Sequence, residues 1–446
     1  MIGLLDSMTG EKAQCAEMNN QVMGNALMGP FIRTWLLVAL CLALACPVFA
    51  AQPDIQLKSD TLIHYFERDV GTERNNQVLP VYEYLRLDYR PGQDSAASFH
   101  AYGWMRVNLG DDFFQDDTQG ELLYAYLQYA PRDRDFQMRL GRQYVFEGVA
   151  NESVDGLYGA VDINPWLSFS GYLGMPVSLE VADGRAGDGI VGGRVSWHRL
   201  GKYDLGLSYK FLTNDSDRDE ELAGIDLSLG LPANVTLLGQ ATRNLLADQW
   251  GEHSVEARIP LWRFEFRPQY QYYTSDGFFS DKDNTSGPFR AQPFLESDTR
   301  IYGAEAYFYP SEDYEIGLKA RHYEYDKRFG ESDYLSAIFT WKWKIFSHFG
   351  AEAGRMEGDV DENRYTLGRG FFYLDLAPAF VTGDVVYVDY DEALYNEDSS
   401  LFASLGVGRR FLRNALRLKL SADYSSDPYN DEDIRTLLVA EYQYDR

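Results

Sequence analysis

Cysteine is absent from everything after residue 46; the chain's three are Cys15, Cys41 and Cys46. Without them the later chain has no disulfide and no thiolate for metal ligation or nucleophilic attack, so backbone pairing and packing must hold it together. Long apolar runs are also missing. Only Trp35 to Cys46 is continuously apolar, and nothing beyond it could cross a bilayer as a helix. Basic charge is scarce, with 41 Lys and Arg against 68 Asp and Glu and a net charge of −27. That balance excludes a nucleic-acid surface and argues against docking on an anionic membrane face. The histidines (His64, His100, His198, His253, His322, His348) stand singly, without zinc or haem spacing, and no Cys-x-x-Cys-His occurs. None has a Ser or Asp context that favours catalysis, so neither an enzyme nor a cofactor is expected.

What is present begins with a leader. The apolar core Trp35–Cys46 follows Arg33 and precedes Pro47-Val-Phe-Ala50-Ala51, whose small residues fit signal peptidase. Residues 1–50 therefore read as a secretory signal, cleaved after Ala50 or Ala51. The polar stretch ahead of it is unlike a signal, which makes Met23 or Met28 the expected start. Lipoprotein processing at Cys46 is the weaker alternative, because Pro47 directly follows. Residues 51–446 then form a single domain that remains strongly acidic.

That domain is built from one repeated pattern. Leu416, Leu418, Leu420, Ala422 and Tyr424 alternate with Arg417, Lys419, Ser421 and Asp423, and Ile434 to Tyr444 repeat the alternation after a polar, acidic connection. Each run is a strand with one oily and one wet face, long enough to cross a hydrocarbon layer when tilted. Such runs recur from Ile55 onward, and 22 candidate strands are expected. Weak alternation at 81–89, 348–356 and 380–390 leaves 18 or 20 open. Short connections, many with proline (Pro91, Pro131, Pro165, Pro232, Pro260, Pro310, Pro378), alternate with long acidic ones at 110–117, 214–221, 357–362 and 389–398. This threading predicts an all-β, antiparallel, up-and-down transmembrane barrel of about 22 strands. A soluble sandwich or propeller is the competing fold. It is disfavoured by the 32 Tyr and 26 Phe, many of them near strand ends as in membrane girdles.

Leu140-Gly-Arg-Gln-Tyr144, then Glu147-Gly148 and Asp155-Gly-Leu157, are similar to the LGRQ…DG stretch of porin-like proteins. With the leader, the cysteine-free remainder and the tyrosine-rich final strand, the whole mature chain resembles a Gram-negative outer-membrane porin. Such barrels usually end in an aromatic residue read by the assembly machinery. Here Tyr442-Gln-Tyr444 is followed by Asp445-Arg446. The resemblance implies a bacterial outer-membrane location, contact with lipid and lipopolysaccharide, and a water-filled channel for small hydrophilic solutes or ions. It leaves open a homo-oligomer or a periplasmic partner. The alternative is a barrel that sheathes a partner such as a multihaem cytochrome. A plugged active transporter is disfavoured, because residues 51–80 are too few for a plug.

Strand phase names the residues expected to line the pore. The bases are Arg106, Arg139, Lys210, Arg258, Arg267, Lys319, Arg321, Lys342, Lys344, Arg417, Lys419 and Arg435, and the acids Asp204, Asp226, Glu256, Glu265, Glu305, Glu315, Asp423 and Glu441. A mixed, mildly basic wall beneath an acidic vestibule is the expectation, with simple solvation of a wet wall as its plain alternative. The connection 275–297 carries Phe278, Phe279, Lys282, Phe289, Arg290 and Phe294 and is the candidate constriction loop; 174–189 is the second. Asp215-x-Asp217-x-Asp219 and Asp359-x-Asp361 lack the glycine and closing glutamate of a calcium loop and read as solvated charge.

Overall fold

The structure, a computed structural model, describes residues 53–70, 73–132, 134–177, 187–274, 298–325, 330–344, 346–428 and 430–445. Asp54–Arg90 and Asp94–Arg446 form one compact unit, and that unit is a sheet. Its first strands are β1 (Asp54–Val70), β2 (Glu73–Val78), β3 (Pro80–Arg90), β4 (Ala97–Asn108), β5 (Thr118–Tyr129), β6 (Phe136–Glu147), β7 (Ala150–Asn164) and β8 (Leu167–Pro176). Next come β9 (Gly189–Arg199), β10 (Tyr203–Asn214), β11 (Asp217–Gly230), β12 (Thr236–Asn244), β13 (Gln249–Leu261), β14 (Phe264–Tyr273), β15 (Thr299–Ser311) and β16 (Tyr314–Tyr325). The last are β17 (Glu331–Lys344), β18 (Ser347–Gly358), β19 (Tyr365–Leu376), β20 (Ala379–Leu394), β21 (Glu397–Phe411), β22 (Leu416–Asp427) and β23 (Asn430–Asp445).

Successive strands pair antiparallel, and β1 closes the ring by pairing with β23 from Gln56↔Asp445 to Phe66↔Arg435. Both β2 and β3 pair with β1, on either side of Leu79, so together they make one staggered ribbon. The ring is therefore a closed 22-stranded barrel, and the three weakly alternating stretches are all strands. At a ladder spacing of about 4.8 Å and a tilt of about 40°, a circular ring of this size has a backbone radius of about 20 Å.

Two of the acidic connections expected to be long loops are strand. β10 runs on to Asn214 and turns at Asp215 (φ 51°) and Ser216 (φ 74°), while β20 runs on to Leu394 and turns at Tyr395 (φ 52°) and Asn396 (φ 74°). Two successive positive φ values fit the twist of a tight hairpin. The alternation that marks a membrane strand fades where both faces meet water, although strand pairing resumes beyond a bulge in each hairpin. By contrast, 109–117 is a loop as expected.

Cross-strand partners share a face, so register sorts the side chains into two sets. One set carries exposed apolar groups such as Leu140 (58% exposed) and Leu335 (62%); the other carries crowded polar groups such as Lys210 (3%) and Glu265 (5%). Closing a sheet into a ring crowds side chains on its concave side and splays them on its convex side. The polar set is thus interior and the apolar set exterior. Polar groups also occur on the outer face, where they are partnered. Glu83 accepts hydrogen bonds from Ser59 and Thr61, both at 2.6 Å. Arg142 grips Asp155 at 2.8 and 3.0 Å and donates to the Leu122 carbonyl at 3.0 Å, beside a bulge in β5.

Candidate functional site

The interior is a wall of ion pairs arranged across neighbouring strands. Arg194 on β9 reaches Asp204 on β10 at 2.6 Å and Asp226 on β11 at 2.5 Å. Arg258 and Arg267 flank the buried Glu265, with nitrogen–oxygen distances of 2.7 and 2.6 Å. Lys319 meets Glu352 at 3.4 Å, Arg321 meets Glu305 at 3.1 Å, and Arg417 meets Glu441 at 3.2 Å while covering the Phe380 ring. Arg410 holds Asp375 at 2.9 Å, and Asp433 is shared between Arg435 (2.5 Å) and Arg68 (2.9 Å). Charges this close on a crowded face need both partners and water, because an unpaired buried charge is far costlier than a paired one.

The expected pore-lining residues fall on this inner face, except that a bulge precedes Lys344 and its ammonium lies over the outward-facing Trp343 ring, and they do so in different circumstances. Arg106 is committed to architecture: it is buried, donates to the Asp116 carbonyl at 2.9 Å and stacks 3.6 Å from the Phe114 ring, fastening the 109–117 loop. Arg139 donates to Gln128 at 3.2 Å and lies against the rings of Tyr126 and Tyr158. Asp204, Asp226, Arg258, Arg267, Lys319, Arg321, Arg417, Arg435 and Glu441 sit in the pairs just given. Among the described residues, Lys342, Lys344 and Lys419 have no carboxylate in ion-pair range, and Lys344 rests 4.6 Å over the Trp343 ring.

Lys210 leads to a feature that alternation alone does not reveal. Its ammonium bonds Glu220 on neighbouring β11 and Glu152 on β7, both at 2.9 Å. In the wall β7 and β10 are three ladder spacings apart, about 14 Å. Two outstretched side chains could just bridge that span, but the backbone at the tip of the β6–β7 hairpin also leaves the wall and leans over the neighbouring strands. The Val149 amide donates to the Ser208 hydroxyl at 3.1 Å, and Val149 packs against Gly224 of β11, where a Cβ would come 2.2 Å from its Cγ1. Gly148 sits at φ 58° with any Cβ 2.2 Å from Ser208 Oγ, so both backbone sign and space demand glycine. Val145, Ala150 and Val154 of the hairpin then pack with Tyr172, Ile190 and Leu212 of β8–β10 as a small dry core. The opposite face of the hairpin, with Tyr144 and Phe146 exposed, is turned away from that core toward the remaining opening.

The sequence carried a signal for this hairpin. Tyr144-Val145-Phe146 breaks the alternation with three consecutive apolar residues, which fits Val145 being packed against neighbouring strands where a wall residue would face water. The loop candidates expected instead, Phe278, Phe279, Lys282, Phe289, Arg290 and Phe294, lie outside the described residues. So does most of 174–189.

No family model matches this chain, and no curated protein does either. Its structure resembles solved bacterial porins. OccAB4 of Acinetobacter baumannii is 9% identical, with 89% of this chain and 99% of that one covered at a TM-score of 0.45. OccK2 (OpdF) of Pseudomonas aeruginosa, solved in complex with glucuronate, is 11% identical, with coverage of 88% and 98% and a TM-score of 0.44. A BenF-like porin from Pseudomonas fluorescens Pf-5 is 10% identical, with coverage of 90% and 100% and a TM-score of 0.43. At these scores the likeness transfers no residue role and no solute to this chain.

Proposed function

We propose that this protein is an outer-membrane porin, a water-filled channel through which small hydrophilic solutes diffuse. One observation carries the reading: a closed ring whose concave face is lined by ion pairs while leucines, tryptophans and phenylalanines stand exposed on its convex face. Paired charges need a wet interior and the exposed apolar belt needs lipid, so each face has the solvent that suits it. A ring of this strand number leaves an aqueous lumen unless something fills it. Here the β6–β7 hairpin occupies part of it and acts as the constriction, set against Ser208, Lys210 and Gly224. That placement favours diffusion over a sheath for a partner protein, because the chain's own hairpin lies where a partner would run. Residues 1–50 serve as the export signal, and the mature chain begins after Ala50 or Ala51.

The pore-lining set works as a balanced wall. Most of its bases are paired locally, which leaves Arg139, Lys342 and Lys419 as the wall cations a passing anion meets. Planar-bilayer recording of the purified, refolded protein tests the proposal. Stable ion-conducting steps are expected, and a folded barrel that inserts but passes no current would refute it.

A further inference from the structure

On most of the inner face the wall is charged, but across β3, β4 and β5 it is aromatic. Tyr82 and Tyr84 stack at 6.5 Å between centroids, Tyr84 and Tyr102 at 6.3 Å, Tyr102 and Tyr124 meet at 5.6 Å, and Tyr124 and Tyr126 at 5.7 Å; Trp104 joins Tyr82 at 6.2 Å. Register places these rings on the concave side, since Asp60 faces Tyr84 and Glu441, Tyr84 faces Trp104, and Tyr126 faces His100. They are half-buried against one another and present their remaining surface to the lumen. Among the described residues, the five phenol hydroxyls have no protein hydrogen-bond partner and none is shut away from solvent. At one edge of the patch Arg86 and Asp88 border a polar hollow of about 230 Å³, shared with Gln56, Ser98 and His100. At the other, Arg139 leads to Tyr158, whose hydroxyl donates to Glu147 at the tip of the inward hairpin.

Aromatic surface held against water is unfavourable by about 25 cal/mol per Å² unless something apolar covers it. Outside the barrel lipid does so; inside, only a solute can. The rings already touch their neighbours, so a solute cannot slide between them and must lie along them. Pyranose rings suit this surface: their C–H faces stack on aromatic faces while their hydroxyls meet the phenol hydroxyls and the flanking Arg86 and Asp88. We propose that this patch is a saccharide-binding track that delivers sugars along the wall to the constriction. The proposal rests on the channel reading and names the solute class for it.

The test uses maltotriose, with polyethylene glycol of equal hydrodynamic size and benzoate as controls. Maltotriose is expected to interrupt the ion current with saturable concentration dependence. Tyr84→Ala and Trp104→Ala are each expected to weaken that block about three- to tenfold, a ring contact being worth roughly 0.5–1.5 kcal/mol. Heat-modifiable gel mobility confirms that each variant is a folded barrel. If the barrel passes no current, the channel reading fails on its own, and the track is tested in detergent by maltotriose-dependent tryptophan fluorescence with Trp104→Phe as reference. A saturable change lost in Trp104→Phe supports the track. It is overturned if maltotriose acts in neither readout, if polyethylene glycol acts equally, if benzoate alone binds, or if the variants match the parent.

Discussion

Replacing Lys210 with methionine tests the constriction where it is most exposed to refutation. The Lys210 ammonium lies between Glu152 on the folded hairpin and Glu220 on the wall, with both contacts at 2.9 Å and the lysine side chain 4% exposed. Methionine keeps most of the volume and removes the charge, so the link between hairpin and wall carboxylates is lost. Removing one partner from a buried pair costs about 3–5 kcal/mol, and the 14% exposure of Glu152 puts the expected loss near the lower end, about 3 kcal/mol. At about 1.4 kcal/mol per decade, the undocked hairpin becomes roughly 100-fold more populated. The absence of cysteine after residue 46 makes this measurable. Val145 is 2% exposed in the dry core beneath the hairpin, so Val145→Cys reports undocking through its rate of reaction with a membrane-impermeant thiol reagent. Lys210→Met should raise that rate about 100-fold and increase single-channel conductance and noise. Adding Glu152→Gln and Glu220→Gln should restore most of the protection. An unchanged labelling rate with unchanged conductance would show that the hairpin is held by something other than this lysine.

Three further outcomes follow from the same geometry. Gly148→Val, which forces a Cβ onto Ser208 at a positive φ, should undock the hairpin and raise conductance without unfolding the barrel; parental conductance would contradict the tight fit. Phe380 is fully buried between Arg410 and Arg417 and stacks on Tyr373, so Phe380→Ala should cost about 3–5 kcal/mol in urea unfolding from lipid vesicles; a change under about 1 kcal/mol would contradict its packing role. Arg194→Met frees Asp204 and Asp226 on the inner wall, so the reversal potential in a salt gradient should move toward cation preference; an unmoved potential would place these groups out of the ion path.

Alternation alone determined a great deal here. Because side chains on a strand point to opposite faces, Leu416 to Tyr424 announces a strand, a wet side and a greasy side without any tertiary information, and the same rule located the other barrel strands apart from the short β2 and put Lys210, Arg267 and Lys319 on the wet side. It works because a membrane strand has a different solvent on each face. Where both faces meet water, as from Thr213 to Glu221 and from Asp389 to Asp398, that contrast disappears and a bulged strand hairpin looks like loop. Only the closed ring decided what the wet side touches. Alternation gives each residue a face but no curvature, so it could not tell that β6 and β7 leave the wall, that Glu152 meets a lysine 58 residues later, or that Arg106 is spent on a loop carbonyl. Those contacts depend on strands three or four places apart being brought together across the interior, and no local pattern records that distance.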